Sequence, residues 1–392
     1  MQGCAREAIR QEAMSERANA NDAIGTRQFK LVVDANDSSL LLDALRALAA
    51  QLVCVGHGCN LFLGAGTTYL PYVGVMLFFV LSGFVIAHTL ERHSSRAGYG
   101  FGDFVIDRFA RIYSAYLPAL VLIVALDLLL SYFGLGPSPA ESSWRVWWHN
   151  LLMLQGYVGP WADGTSTYGS AGQLSSLATE WHIYLLIGAI YFLLRGRNRW
   201  ICLLVAVLVA PQPLAYFSAL PDTDRSLFVL WLLGFAAYYV ARSTRIDSTL
   251  TVLAQLAAPL LTWLWFKERI PGNEYLIDHY PLFALAFLAW VLASQGCHLM
   301  RSCRPVKAMI HGAAGFAFSL FLVHYTLEKI VLALWPDGGI FALALALIVS
   351  NLLAWVFAYA TEAHYRKLAT WLRQRLFLRS PKVDSLMESP KK

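Results

Sequence analysis

Residues Leu41–Gly58 read LLDALRALAAQLVCVGHG. The run is apolar enough to cross a bilayer, yet it carries Asp43, Arg46 and His57. An ionisable group inside a membrane span is costly, so each is a functional candidate by default. Arg46 and His57 stand eleven positions apart. At about 100° per residue that is three turns plus roughly 20°, so one helix face carries both. Along the axis they are separated by roughly 16 Å, about half of the ~30 Å hydrocarbon core. One face thus pairs a cation near one membrane surface with an imidazole past the midplane. The plainer alternative is an arginine snorkelling to headgroups and a histidine bonded to a neighbouring helix.

The rest of the composition agrees with a membrane reading. Hydrophobic residues make up 57% of the chain and charged residues 14%, with mean hydropathy +0.51. Soluble chains run at about 45–50% apolar and about 25% charged, so a polytopic membrane protein is expected. The formal net charge of +6 is then read as loop topology rather than as a nucleic-acid signal. No nucleic-acid motif is present. The polar first residues show no charged segment followed by an apolar one, so no cleavable signal is expected ahead of the first span. The cysteines form no CxxC pair. Cys297, His298, Cys303 and His311 cluster in sequence, but their spacing fits no standard zinc site, and no metal is expected.

The predicted class is all-α, a bundle of about ten transmembrane helices of ~20 residues each. The spans are predicted near Leu40–Leu63, Tyr72–Leu90, Ile112–Phe133, Leu174–Leu194, Trp200–Leu220, Leu227–Ala241, Leu250–Phe266, Leu276–Ser294, Ala314–Leu334 and Ile340–Tyr359. A polar N-terminal tail (1–36) precedes the transmembrane domain (37–365), and a basic C-terminal tail (366–392) follows it. The tail around Ala5–Ala18 reads as partly helical or disordered. No internal repeat is visible. Basic residues gather in alternate loops, at Arg92–Arg111, Arg195–Arg199, Arg242–Arg245 and Arg301–Lys307, and in both tails. The positive-inside rule therefore predicts cytoplasmic termini, with the long Gly134–Gln173 loop outside. WRVWWHNLLML in that loop is amphipathic and suits the membrane interface.

Several further groups carry chemistry. Arg108 and Arg111 are i,i+3 neighbours on one helix face. They suit phosphate recognition, or anchoring at lipid headgroups. Ser82-Gly83 lies in YVGVMLFFVLSGFVIAH. Small residues there allow close helix packing, and also room for a thin ligand. Glu180, in SSLATEWHIYLL, reads as solvated at the outer end of its span, as a partner of His57, or as a receiver of a substrate hydroxyl. His324, in FSLFLVHYTL, is followed one turn on by Glu328 and Lys329. It reads first as a helix–helix hydrogen bond. Glu362 reads as solvated.

The order of these pieces resembles the membrane-bound acyltransferase-3 family. LDALRALAAQLVCVGH matches its basic residue, ten residues, then His. VGVMLFFVLSGFVIA matches its second span, and FVIDRFARIYSAYLPAL its RxxR segment. SSLATEWHIYLL and FSLFLVHYTL resemble two later motifs. Ser175, Trp181 and Ser114 depart from the usual residues. The likeness covers about Leu41–Tyr365. It implies transfer of an acyl group, acetyl in the first instance, from cytoplasmic acyl-CoA to a hydroxyl of a glycan or other envelope or secreted acceptor. Arg108 and Arg111 would then hold CoA phosphates, with the pantetheine arm beside Ser82-Gly83. His57 would act as general base, and Arg46 would orient the donor. Glu180 joins the catalytic candidates; His324 and Asp43 are substrate-binding or structural. The expected setting is a bacterial inner membrane. Two other classes compete. A proton-coupled transporter or flippase also uses intramembrane Arg and His, but the missing inverted repeat counts against it. A scaffold with purely topological charges would not need Arg46 and His57 on one face.

Overall fold

The computed structural model describes residues 27–28, 37–96, 98–157, 165–196, 198–215, 226–268, 277–295 and 303–377. The tail reading around Ala5–Ala18, and Cys297 and His298, lie outside the described residues. The helices are α1 (Ser38–Phe62), α2 (Leu70–Ser94), α3 (Phe101–Tyr132), α4 (Trp144–Leu151), α5 (Leu174–Leu194), α6 (Arg199–Val209) and α7 (Pro211–Ala215). They continue as α8 (Leu227–Ser243), α9 (Ser248–Glu268), α10 (Tyr280–Gln295), α11 (Arg304–Leu334), α12 (Gly339–Ala360) and α13 (Tyr365–Phe377). One two-residue strand pair, Arg27–Gln28 with Arg245–Ile246, is antiparallel.

Among the described residues, 8 helical segments are long and apolar enough to cross a membrane. They are α1, α2, α3, α5, α9, α10 with its preceding 3₁₀ turn, α11, and α12 continued into α13. The chain is thus a polytopic all-α membrane bundle. Hydropathy alone suggests about ten spans; the difference lies in α6 and α8, which are apolar but only 11 and 17 residues long. Ser82 touches Tyr184 and Ser94 touches Tyr191, so α2 and α5 run parallel. His88 touches Tyr238 and Glu91 pairs with Arg242, so α8 runs parallel to α2 as well. The chain must therefore return between α5 and α8, and α6 with α7 occupies that stretch. Leu128, Leu129, Val207, Leu256, Ile348 and Leu352 are exposed. In a bilayer these side chains meet lipid tails, which are as apolar as leucine.

Helix ends follow local chemistry. α3 closes with Leu135 N–H to Leu130 C=O (2.9 Å) and Gly134 N–H to Ser131 C=O (3.0 Å). Gly134 supplies the left-handed φ of +73° that this Schellman closure needs. The start of α3 departs from expectation. Hydropathy cuts the span at Ile112, but the helix begins at Phe101, where Asp103 accepts from the Gly100 N–H (3.0 Å). Arg108 and Arg111 therefore sit inside a long helix rather than at its mouth. The late span likewise begins at Arg304 instead of Ala314. In both cases polar side chains extend the helix past the apolar run that a hydropathy window detects.

The α2–α8 crossing is set by two glycines. A Cβ at Gly83 would lie 2.0 Å from the Trp231 carbonyl oxygen, and one at Gly234 would lie 2.1 Å from that of Val80. Gly83→Ala should therefore force the helices apart, with a cost of about 1–3 kcal/mol. Thermal melting in detergent checks this, with Gly312→Ala as control, since a Cβ there meets nothing within 4 Å. Equal melting of the two variants would show that the crossing yields freely.

Candidate functional site

Packing directions bring α1 and α11 side by side and parallel. His311 Nδ1 lies 3.3 Å from Asp43 near one end, and the His57 and His324 rings meet further along. Two groups of polar residues are built along this pair, separated by the Arg46–His57 rise.

The first group lies toward the end of the bundle that carries most of the arginines. A cavity of about 150 Å³ is lined by Arg46, Ser82, Arg108, Arg111, Glu180 and Tyr184, with apolar walls that include Phe78 and Phe318. Five residues singled out in sequence, carried on four helices, thus meet in one place. Their charges are unequally satisfied. Arg46 pairs with Asp43 on the turn before it (2.8 Å). Arg111 pairs with Glu362 (2.8 Å) and lies 5.0 Å from the Tyr365 ring. Arg108 makes no salt bridge among the described residues, and its buried Nε has no hydrogen-bond partner there. Its guanidinium lies 6.0 Å from the Phe104 ring. The cavity therefore presents one cation whose charge is not met by a bonded carboxylate.

Glu180 is half-buried at the cavity wall, and among the described residues it bonds Tyr184 rather than His57. Trp231 Nε1–H donates to Ser82 Oγ (2.9 Å), Ser82 Oγ lies 2.8 Å from the Tyr184 hydroxyl, and Tyr184 donates to Glu180. Indole N–H can only donate, so Ser82 accepts there and its own proton is directed onward. Helix packing of α2 on α5 places the carboxylate in the cavity, near the Arg46 end of α1, rather than beside His57. Ser82 lines the cavity, whereas Gly83, its neighbour, faces the α8 main chain. Both meet Trp231, Ser82 through the indole N–H and Gly83 through the carbonyl. Glu362 was expected to be solvated; it is buried, with Arg111 on one oxygen and the Ser319 hydroxyl on the other (3.1 Å). A second cavity of about 250 Å³ lies on the far side of Arg46 and Arg111, lined also by Asp43, His311, Glu362 and Tyr365.

The second group surrounds His57. Its ring centroid lies 5.5 Å from that of His324 and 4.7 Å from that of Tyr325. The Lys329 ammonium stands 4.6 Å from the Tyr325 ring. His324 is fully buried, and its Nδ1 lies 2.9 Å and 3.0 Å from the Leu320 and Phe321 carbonyl oxygens. Carbonyls only accept, so Nδ1 carries the proton and Nε2 is a bare lone pair. Among the described residues that Nε2 has no partner. His324 thus bonds its own helix, not a neighbouring one, and its free nitrogen remains available. Glu328 is also fully buried; Cys54 Sγ–H donates to one oxygen (3.4 Å) and the other is unpartnered. The segment before α5 closes this end. Ser170 N–H donates to Asp127 (3.0 Å), the Ser170 hydroxyl donates to Thr326 (2.8 Å), and Gln173 donates to the Leu322 carbonyl (2.7 Å).

An arginine-rich cavity and a histidine pair brought together from α1 and α11 suit transfer chemistry between an anionic donor and an acceptor. Comparison with known families decides the class: a model described as an acyltransferase domain, that of the acyltransferase-3 family, matches residues 40–360. The chain belongs to the acyltransferase-3 family. The chain is accordingly an integral, multi-pass membrane protein. Among curated proteins it is similar to protein 2 in the picA locus of Rhizobium radiobacter, with 36% identity over 107 residues. That alignment covers 27% of this chain and 54% of the relative. The chain thus spans about half the length of that curated relative. No solved structure matches it.

Sequence reasoning missed Tyr184, Tyr325 and the pairing of Glu362. Tyr184 stands at i+4 from Glu180, a helix-neighbour spacing that could have exposed it. Tyr325 adjoins His324 directly. No local signal pairs Arg111 with Glu362, because their contact depends on how the end of α12 meets α3. Among the described residues no group of three or more His, Cys, Asp or Glu could hold a metal.

Proposed function

We propose that this acyltransferase moves an acyl group, acetyl in the first instance, from acyl-CoA to a hydroxyl of a glycan or other envelope or secreted acceptor. The observation that carries the reading is the gathering of Arg46, Ser82, Arg108, Arg111 and Glu180 around one cavity. Arg108 suits a donor phosphate, because among the described residues no carboxylate is bonded to it. Arg111 and Arg46 add positive potential while held by Glu362 and Asp43. The donor supplies the acyl group as a thioester. Ser82 and the Glu180–Tyr184 pair offer hydrogen bonds to the polar part of its arm. With the basic end cytoplasmic, as the loop charges favour, the donor enters from the cytoplasm. His57 then lies roughly 16 Å further along the same helix. There it takes the proton of the acceptor hydroxyl as the oxygen attacks the acyl carbon; the thioester C–S bond breaks, and the departing CoA thiolate takes up the proton that the imidazole removed.

The test is donor binding. Arg108→Ala should weaken acyl-CoA binding about 10- to 100-fold, as expected for loss of a charge-assisted hydrogen bond worth ~1.5–3 kcal/mol. Arg108→Lys should restore only part, because lysine lacks the planar fork. Titration of labelled CoA onto purified protein reads both. An unchanged affinity in Arg108→Ala would remove the donor from this cavity.

A further inference from the structure

The helix after the last span, α13, reads YRKLATWLRQRLF. It follows α12 across only Thr361 and the 3₁₀ turn Glu362–His364, so it begins at the level where α12 leaves the membrane. Its rotation is fixed. Ala369 is buried against Ile106 and Ala110 of α3, with Leu368 and Leu372 beside it. Arg373, also buried, pairs with Asp107 and lies 3.8 Å from Asp103. Asp107 in turn accepts from the Tyr99 hydroxyl (2.8 Å). With that face turned to α3, Lys367, Trp371 and Arg375 are turned away.

These three residues recur at i, i+4 and i+8, which makes one stripe along the helix. All three are exposed, and the Arg375 guanidinium lies 6.0 Å from the Trp371 ring. Leu376 is exposed beside them. An indole between two cations, with an apolar residue at the end, combines an aromatic interfacial anchor with attraction to negative headgroups. We propose that the Lys367–Trp371–Arg375 stripe of α13 docks on an anionic phospholipid surface. Continuity with α12 places the stripe at that surface, and its charge selects the lipid. The same helix braces the part of α3 that carries Arg108 and Arg111, through Arg373.

The experiment uses the full-length protein with p-benzoylphenylalanine in place of Trp371. It is reconstituted in vesicles of phosphatidylcholine containing about a third phosphatidylglycerol. Irradiation should give lipid adducts in which phosphatidylglycerol exceeds its bulk share. Each basic residue near an anionic surface contributes about fivefold in partition. Lys367→Gln and Arg375→Gln, singly and together, should therefore lower the enrichment stepwise. Raising salt should do the same to the labelled protein that keeps Lys367 and Arg375, which covers the case of a glutamine variant that folds poorly. Adducts that match the bulk lipid ratio, adducts to protein alone, or an enrichment indifferent to both salt and the substitutions would each overturn the proposal.

Discussion

Replacing His57 by glutamine should lower acyl transfer by at least ~10²-fold, and by up to ~10⁴-fold, the range that general-base catalysis supplies. Glutamine keeps polarity and much of the volume but cannot accept the proton. Donor affinity should stay near normal, because the cavity proposed for the donor does not include His57. Rate should also fall on acidification, since an imidazolium has no lone pair to offer. The neighbouring His324 makes the experiment sharper. Its Nδ1–H is held by two carbonyls and its Nε2 is free, so His324→Gln removes a second lone pair beside the first. The assay is transfer of labelled acyl groups to a glycan acceptor in membranes, at matched expression. Near-normal transfer by His57→Gln, with loss in His324→Gln, would pass the base role to His324. Near-normal transfer by both would remove proton abstraction from this group altogether.

The second large effect concerns Glu362. Removing one partner of a fully buried ion pair costs about 3–5 kcal/mol. Arg111 keeps 31% side-chain exposure against 4% for Glu362, so solvent relieves part of the loss. Glu362→Ala should therefore fall near the low end, about 3 kcal/mol. It also removes the acceptor of the Ser319 hydroxyl. Arg111→Ala should cost a similar amount, and the double variant should cost less than the two single losses added together. Thermal or denaturant unfolding in detergent gives all three values. Additive losses would show that the two side chains do not support each other. Donor binding separates the arginines further. Arg108→Ala should act mainly on affinity, and Arg111→Ala mainly on stability.

The class of this protein was legible without coordinates. Apolar runs near the length of a bilayer crossing, interrupted by few charges, leave helices as the local solution, because backbone groups in lipid must bond within their own segment. The spacing of Arg46 and His57 likewise placed both on one face, and that face is turned to α11 and the cavity. Motif order carried the family. Local sequence could not say where each charge would end. Arg108 and Arg111 have the same side chain three positions apart, yet one faces a cavity without a bonded carboxylate and the other is met by Glu362. Glu180 joins Ser82 and Tyr184 rather than His57 because α5 packs on α2, not on α1. Ser82 and Gly83 are adjacent and both meet Trp231 of α8, yet only Ser82 lines the cavity, while at Gly83 only a glycine admits the Trp231 carbonyl. Sequence by itself determined what each helix is and which face of it is polar, since both follow from residue type and the 3.6-residue period. Partners across helices were decided only by the tertiary structure, because ion pairs and close crossings depend on packing between segments far apart in the chain.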